Sequence, residues 1–186
     1  MASILTLRIH LQDIEPQIWR RLSIPADMTL AGLHSAIQAV MGWEDAHIHM
    51  FTIDGTRYGN PEDAAGGREI LEEGNVRLAQ ILSDGMHFLY TYDFGDDWRH
   101  EIFVESLDAG GDGPQVPTCF AGENACPPED SGGPYGYPEL VEAVRSPKTA
   151  DPEYLDWIGE FDPEHFDLEL ANKRLRALVK TSSTRH

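Results

Sequence analysis

The strongest constraint on the fold is a change of hydrophobic period near residue 25. Leu5, Leu7, Ile9 and Leu11 alternate with Thr6, Arg8 and His10, and Ile18, Leu22 and Ile24 resume an apolar pattern after Glu15-Pro16. A period of two puts one apolar face on an extended ribbon, so residues 4–24 predict a hairpin ending at Pro25. Such a ribbon needs a second layer to cover that face. The next segment supplies one. Leu30, Leu33, Ile37, Val40 and Met41 recur at helical spacing, with Thr29 placed to cap the helix and Gly42 to end it.

Further along, Ile48 to Ile53 predicts a third strand turning at Asp54-Gly55, and residues 60–75 read as a Gly- and Glu-rich loop. Leu78, Ile81 and Leu82 predict one helical turn, and Phe88 to Tyr92 and Ile102 to Leu107 predict two more strands. Strand, strand, helix, strand, short helix, strand predicts an α+β fold: a β-grasp-like mixed sheet with one main crossing helix. Residues 108–136 then hold 12 Gly and Pro residues, the composition of a long functional loop. Tyr137, Leu140, Val141 and Val144, then Tyr154, Leu155 and Ile158, predict short helices. Leu168, Ala171, Leu175, Leu178 and Val179 predict a longer one behind Asp167. The 186 residues are therefore expected to form a single domain: a sheet core at about 4–107, the loop at 108–136, and a helical C-terminal extension at 137–180 packed on the core.

Charge narrows the partners. Lys plus Arg is 14 against 32 Asp plus Glu, a net charge of −18. Residues 1–60 carry −2 and residues 61–100 carry −6, whereas residues 101–170 carry −15 and residues 171–186 carry +5. An acidic chain is a poor partner for phosphate backbones and for anionic membranes. A cation, a basic protein or a small molecule is the expected partner, with the acidic region after His100 as its place. No apolar run reaches the length of a membrane helix. The opening MASILTLRIHLQ reads as a strand rather than a leader, so a cytoplasmic location is expected, with Cys119 and Cys126 as thiols or ligands rather than a disulfide.

Three stretches concentrate chemistry. His34 lies beside the apolar stripe of the first helix, and His47 and His49 are two apart on an expected strand, which would put them on one face. Tyr92-Asp93-Phe94-Gly95-Asp96-Asp97-Trp98-Arg99-His100 packs three carboxylates and an imidazole into a turn, suited to a cation or to proton transfer. Its Asp-Phe-Gly triplet has no kinase context, because no Gly-rich phosphate loop or catalytic-loop motif accompanies it. The third stretch runs from Cys119 to Gly133. Cys119, Cys126, Asp96 and His100 are candidate ligands for a divalent metal such as zinc, although the cysteine spacing is not that of a zinc knuckle. Cys126 beside a histidine is a conceivable nucleophile.

The same stretches resemble the plasmid pRiA4b ORF-3-like family. The matching segments are Pro16-Gln17-Ile18-Trp19-Arg20-Arg21, Leu30 to His34, Met41-Gly42-Trp43 with His47-Ile48-His49-Met50-Phe51, Tyr90 to His100, and Cys119 to Tyr137. Together they span about residues 4–178. Some members carry a cysteine where this chain has Ser131. The resemblance implies a protein associated with plasmids or mobile elements, and some members carry a resolvase-like label that the −18 charge disfavours. It also implies that the three stretches belong to one pattern. The reading is a binding or accessory module whose groove lies between the Asp93–His100 turn and the Cys126–Gly133 loop. The candidate groove residues are His34, Trp43, His47, His49, Tyr92, Asp93, Asp96, Asp97, Trp98, His100, Pro128, Glu129, Asp130 and Tyr137. The alternative is a metal-dependent hydrolase using the same Asp, His and Cys side chains, with its catalytic residues unassigned.

Overall fold

The computed structural model describes residues 3–64, 69–108 and 116–182. Strands β1 (Ile4–Leu11) and β2 (Trp19–Pro25) form the expected hairpin, with Leu7 opposite Leu22. Helix α1 (Leu30–Met41) starts at Thr29, whose side chain accepts from Gly32 N–H, and stops at Gly42 in the left-handed conformation. Strands β3 (His49–Ile53) and β4 (Thr56–Gly59) meet at Asp54-Gly55, both with positive φ. Then come β5 (Leu71–Glu72), the single turn α2 (Leu78–Ile81), β6 (His87–Tyr92), β7 (Trp98–Asp108) and β8 (Thr118–Glu123). Helices α3 (Gly133–Arg145), α4 (Pro152–Ile158) and α5 (Leu168–Ser182) follow.

The fold is α+β, with one eight-stranded sheet in the order β5-β4-β3-β6-β7-β1-β2-β8. Among the described strands only β4 and β5 pair in parallel. One sheet face, with Leu5, Leu7, Ile9 and Leu11 of β1, packs against Leu30, Leu33, Ile37 and Val40 of α1 in a single buried cluster. Ala171 and Leu175 of α5 enter the same cluster. Leu140, Ala143 and Ile158 form a smaller one between α3 and α4. The opposite sheet face carries ion pairs such as Arg21 with Glu105 and His10 with Glu101, the expected division for a sheet covered on one side. Among the described residues no helix is long and apolar enough to cross a membrane.

Three local expectations differ from the structure. Strand β7 begins at Trp98, not Ile102, because Trp98, His100, Ile102 and Val104 alternate inward as one buried row. The 60–75 stretch contains a 3-10 turn at Pro61–Asp63 and strand β5. Within 108–136, residues 109–115 lie outside the described residues, and Thr118–Glu123 is an edge strand on β2. Gly122 marks that strand rather than a loop: a Cβ there would stand 2.5 Å from the Phe166 ring. Asn172 of α5 completes the edge, accepting from Cys119 N–H at 2.9 Å and donating to Cys119 C=O at 2.7 Å.

Candidate functional site

The site is built on an aromatic floor. Strand alternation turns Tyr92, Trp98 and His100 inward, and Trp43 lies over them. The Trp43 ring stacks on Tyr92 at 4.8 Å and meets His100 edge-on at 5.3 Å. Its Nε1–H donates to Pro127 C=O at 2.9 Å, which fastens the 126–133 loop to the end of α1. Trp98, His100 and Tyr137, named as groove residues from the sequence, are core residues exposed by 1% or less. They shape the floor and offer no surface to a ligand.

Above that floor, the turn and the loop meet directly. Asp96 Oδ2 accepts from Gly132 N–H at 3.0 Å, and Gly133 lies against the Asp96 backbone. Tyr92 Oη accepts from Ala46 N–H and donates to Glu129, whose Oε1 also accepts from Glu44 N–H. Burial, reinforced by Glu129, pushes the Tyr92 phenol well above its ordinary pKa, so it remains a donor. The two stretches are thus bonded directly to one another. A cleft of about 360 Å³ lies on the other side of residues 125–128, lined by Arg20, Val40, Cys126, Pro128, Phe161 and Arg174, and it contains none of His47, Asp93 or Asp130.

At the seam, four side chains converge. His47 Nε2 lies 3.1 Å from Asp130 Oδ1, 3.6 Å from Asp93 Oδ2 and 3.8 Å from Glu129 Oε2. It is screened from solvent yet makes no well-aligned hydrogen bond to any of them. Asp93 divides its labour: Oδ1 accepts from Gly95 and Asp96 N–H, which builds the turn, and Oδ2 is left facing His47. Asp93 and Asp130 both have positive φ, a conformation that Asp tolerates better than most residues; Asp93 is buried, whereas Asp130 stays exposed at the rim. Asp97 stays outside this cluster, paired with Arg99.

His47 and His49 part company. His49 turns away from His47 and stacks on His34, centroids 3.5 Å apart and planes within 6°. His34 Nε2 meets Asp45 Oδ1 at 2.9 Å, and its Nδ1 meets Tyr90 Oη at 2.8 Å. His49 Nε2 meets both Glu73 oxygens at 3.0 Å. The expected shared face fails because the chain reaches β geometry only at His49, so the period of two does not extend back to His47. Asp45, Glu73 and Tyr90 were not legible as site residues. Asp45 stood inside the Trp43–Phe51 stretch without a spacing to mark it, and Glu73 lay in a loop of little pattern.

The metal set expected from sequence is corrected. Cys119, Cys126, Asp96 and His100 join no group of three or more ligand atoms within reach of one ion among the described residues. Instead, Cys119 is buried with its thiol on Ala121 C=O, Asp96 holds Gly132, and His100 Nδ1 is bonded to Tyr90 C=O at 3.2 Å. The cysteines are free. Burial pushes the Cys126 thiol up to about 12, which removes it as a nucleophile near neutral pH.

Burial likewise holds His100 down to about 3, against the partial support of its bond to Tyr90. An unfolded histidine titrates near 6.5, so between about pH 6.5 and 3 the unfolded chain binds a proton that the folded chain refuses. Stability is therefore lost as pH falls through that window, at up to about 1.4 kcal/mol per pH unit from this residue. Urea unfolding at pH 6.5 and 4.5 is expected to show a shallower acid dependence for His100→Leu than for the wild type; equal slopes would refute the assignment.

The comparisons with known proteins follow the same residues. A family model described as plasmid pRiA4b ORF-3-like protein matches residues 3–170. The chain belongs to the plasmid pRiA4b ORF-3-like family. It is 35% identical over 177 residues to "Uncharacterized protein y4hQ" of Sinorhizobium fredii, covering 92% of this chain and 88% of that one. It is also similar to the crystal structure of MM3350, a protein of unknown function from Methanosarcina mazei Go1. The TM-score is 0.81 at 35% identity, covering 91% of this chain and 97% of that one. The seam between the Asp93 turn and the 126–133 loop lies wholly within the family match.

Proposed function

We propose that this pRiA4b ORF-3-like protein is a binding module whose recognition element is a divalent-cation site at the seam, with His47, Asp93 and Asp130 as ligands and Glu129 beside them. The observation that carries the reading is the set of separations from His47 Nε2, 3.1 to 3.8 Å, to three carboxylates drawn from two distant stretches. Ligands held at about 2.0–2.2 Å from a common ion stand roughly 3.0–3.5 Å apart, so small side-chain shifts would complete coordination. One imidazole with carboxylates suits manganese, magnesium or zinc rather than a thiophilic ion. The carboxylates need a counterion, and among the described residues no Lys or Arg pairs with Asp93, Glu129 or Asp130. The deprotonation-resistant Cys126 supports binding over covalent catalysis. Acid concentrated at the seam also supports a cation over a direct phosphate contact, as a resolvase-like role would need.

Elemental analysis of untagged protein purified without chelators tests this, together with calorimetric titration of Mn²⁺ and Zn²⁺. Asp93→Asn and His47→Ala are each expected to weaken binding of one equivalent at least tenfold, with secondary structure retained. Less than about a tenth of an equivalent of metal on purification, with no saturable uptake on titration, would sink the proposal.

A further inference from the structure

We propose that the cleft behind residues 125–128 binds a small organic carboxylate, whose acid group meets Arg174 and whose apolar body lies against Phe161, Pro128 and Leu170. Its volume, about 360 Å³, falls within the range of small-molecule sites. Three separate parts of the chain wall it: the end of α1, the loop from Ala125 to Pro128, and the stretch from Glu160 to Arg174 that leads into α5. None of the seam residues His47, Asp93 and Asp130 lines it, so this inference stands apart from the cation site.

The walls suit an apolar body. Val40, Met41, Pro127, Phe161, Phe166 and Leu170 supply most of the surface, with few polar groups between them, as ligand pockets require. Leu170 is 41% exposed at this wall, so a ligand would cover apolar surface that the fold leaves to water. The half-buried Cys126 thiol, kept protonated near neutral pH by its raised pKa, adds no charge.

The charge suits an anion. Among the described residues the arginine ion pairs are those of Arg21, Arg99 and Arg145, and the Arg174 guanidinium has neither an ion pair nor a hydrogen bond. Its Nη1 lies over Gly42, 2.6 Å from where a Cβ would stand, so the glycine leaves the room that the guanidinium fills. The α1 dipole favours a cation at that end of the helix. Arg20 adds a second positive charge at the wall, bonded to carbonyls but paired with no carboxylate. Two carboxylates line the same cleft. Asp167 is engaged in capping α5, accepting from Leu170 N–H at 2.8 Å, and Glu160 is exposed to solvent. A free guanidinium offers a planar fork that takes a carboxylate with two parallel hydrogen bonds. Helix α5 is also the basic part of an acidic chain, since residues 171–186 carry +5.

Fluorescence titration of the full chain with two probes of one shape tests the site: anilinonaphthalene sulfonate, which carries an anion, and its neutral parent phenylnaphthylamine. The proposal expects one saturable equivalent of the sulfonate, bound at least about tenfold more tightly than the neutral probe and displaced by benzoate. Arg174→Gln is expected to abolish the preference for the anion, and Arg174→Lys to keep part of it. Lys173→Gln removes the same charge from an exposed position of α5 outside the cleft and should change the affinity less than about twofold. Thermal melts check that each variant keeps its fold. No saturable uptake of the sulfonate, equal affinity for the two probes, or no displacement by benzoate overturns the proposal, and these three readings need no variant. A preference kept in Arg174→Gln, or lost as fully in Lys173→Gln, overturns it as well.

Discussion

Replacing Gly133 with alanine is expected to separate the 126–133 loop from the Asp93 turn and to remove cation binding at the seam. Gly133 has φ +67, and a Cβ there would fall 2.1 Å from the Asp96 carbonyl oxygen. Neither atom belongs to a flexible side chain, so relief requires moving backbone. A left-handed alanine alone costs about 1 kcal/mol, and the overlap adds roughly 1–3 more. For a chain of this length that lowers Tm by roughly 5–15 °C. Gly55 provides the control, since it has φ +78 and nothing within 4 Å of its Cβ position. Gly55→Ala is expected to cost only about 1 kcal/mol and to leave metal uptake intact. Calorimetry and thermal melts on both variants check the contrast. Gly133→Ala with wild-type affinity and Tm would show that the two stretches are not locked at this point.

Arg20→Met is expected to cost about 3–5 kcal/mol, the largest effect of any single substitution outside the site. Arg20 is 1% exposed, yet among the described residues it makes no pair with a carboxylate. It donates instead to four carbonyls, those of Val40, Trp19, Glu123 and Asn124, and its guanidinium lies 3.8 Å from the Phe166 ring centre. Val40 C=O belongs to the last turn of α1, where the helix dipole favours a cation. One side chain thus joins the end of α1, strand β2, the end of β8 and the segment before α5. Burial lowers its pKa, but not enough to discharge a guanidinium. Methionine fills the volume and leaves four carbonyls without donors. Arg20→Lys should recover less than half, because an ammonium cannot reach that fan of acceptors. Urea unfolding of the three proteins tests this. A loss under about 1 kcal/mol for Arg20→Met would mean that water replaces the guanidinium at little cost.

Such a role explains why Arg20, noted in sequence only as part of a family stretch, escaped notice as a structural centre. Alternation puts Arg20 on the inward face with Leu22 and Ile24, but a charged side chain breaks the apolar pattern there, and only the approach of β8 and α5 supplies the carbonyls and the ring that enclose it. The same limit applied to Trp98 and His100. Their polar edges suggested a ligand surface, whereas the alternation running on to Ile102 and Val104 placed them in the core. Glu129, Asp130 and Asp93 were legible as candidates because carboxylates gather in turns whose backbone they build. Asp45 and Glu73 were not, since neither stands in a spacing or turn motif that marks its histidine partner on α1 or β3.

By itself the sequence determined the hairpin, the capped helix, most of the sheet and helices, the family, and the general region where acid accumulates. Those properties are local: hydrophobic period, caps, turns and composition act within a few residues. Only the tertiary structure decided which histidine joins which carboxylate, that the turn and the loop are bonded to one another, and that the cysteines are free thiols apart from the carboxylate cluster. Each of these depends on side chains brought together across long separations by strand register and loop packing, and no spacing along the chain encodes a distance of 3 Å between residues 47 and 130.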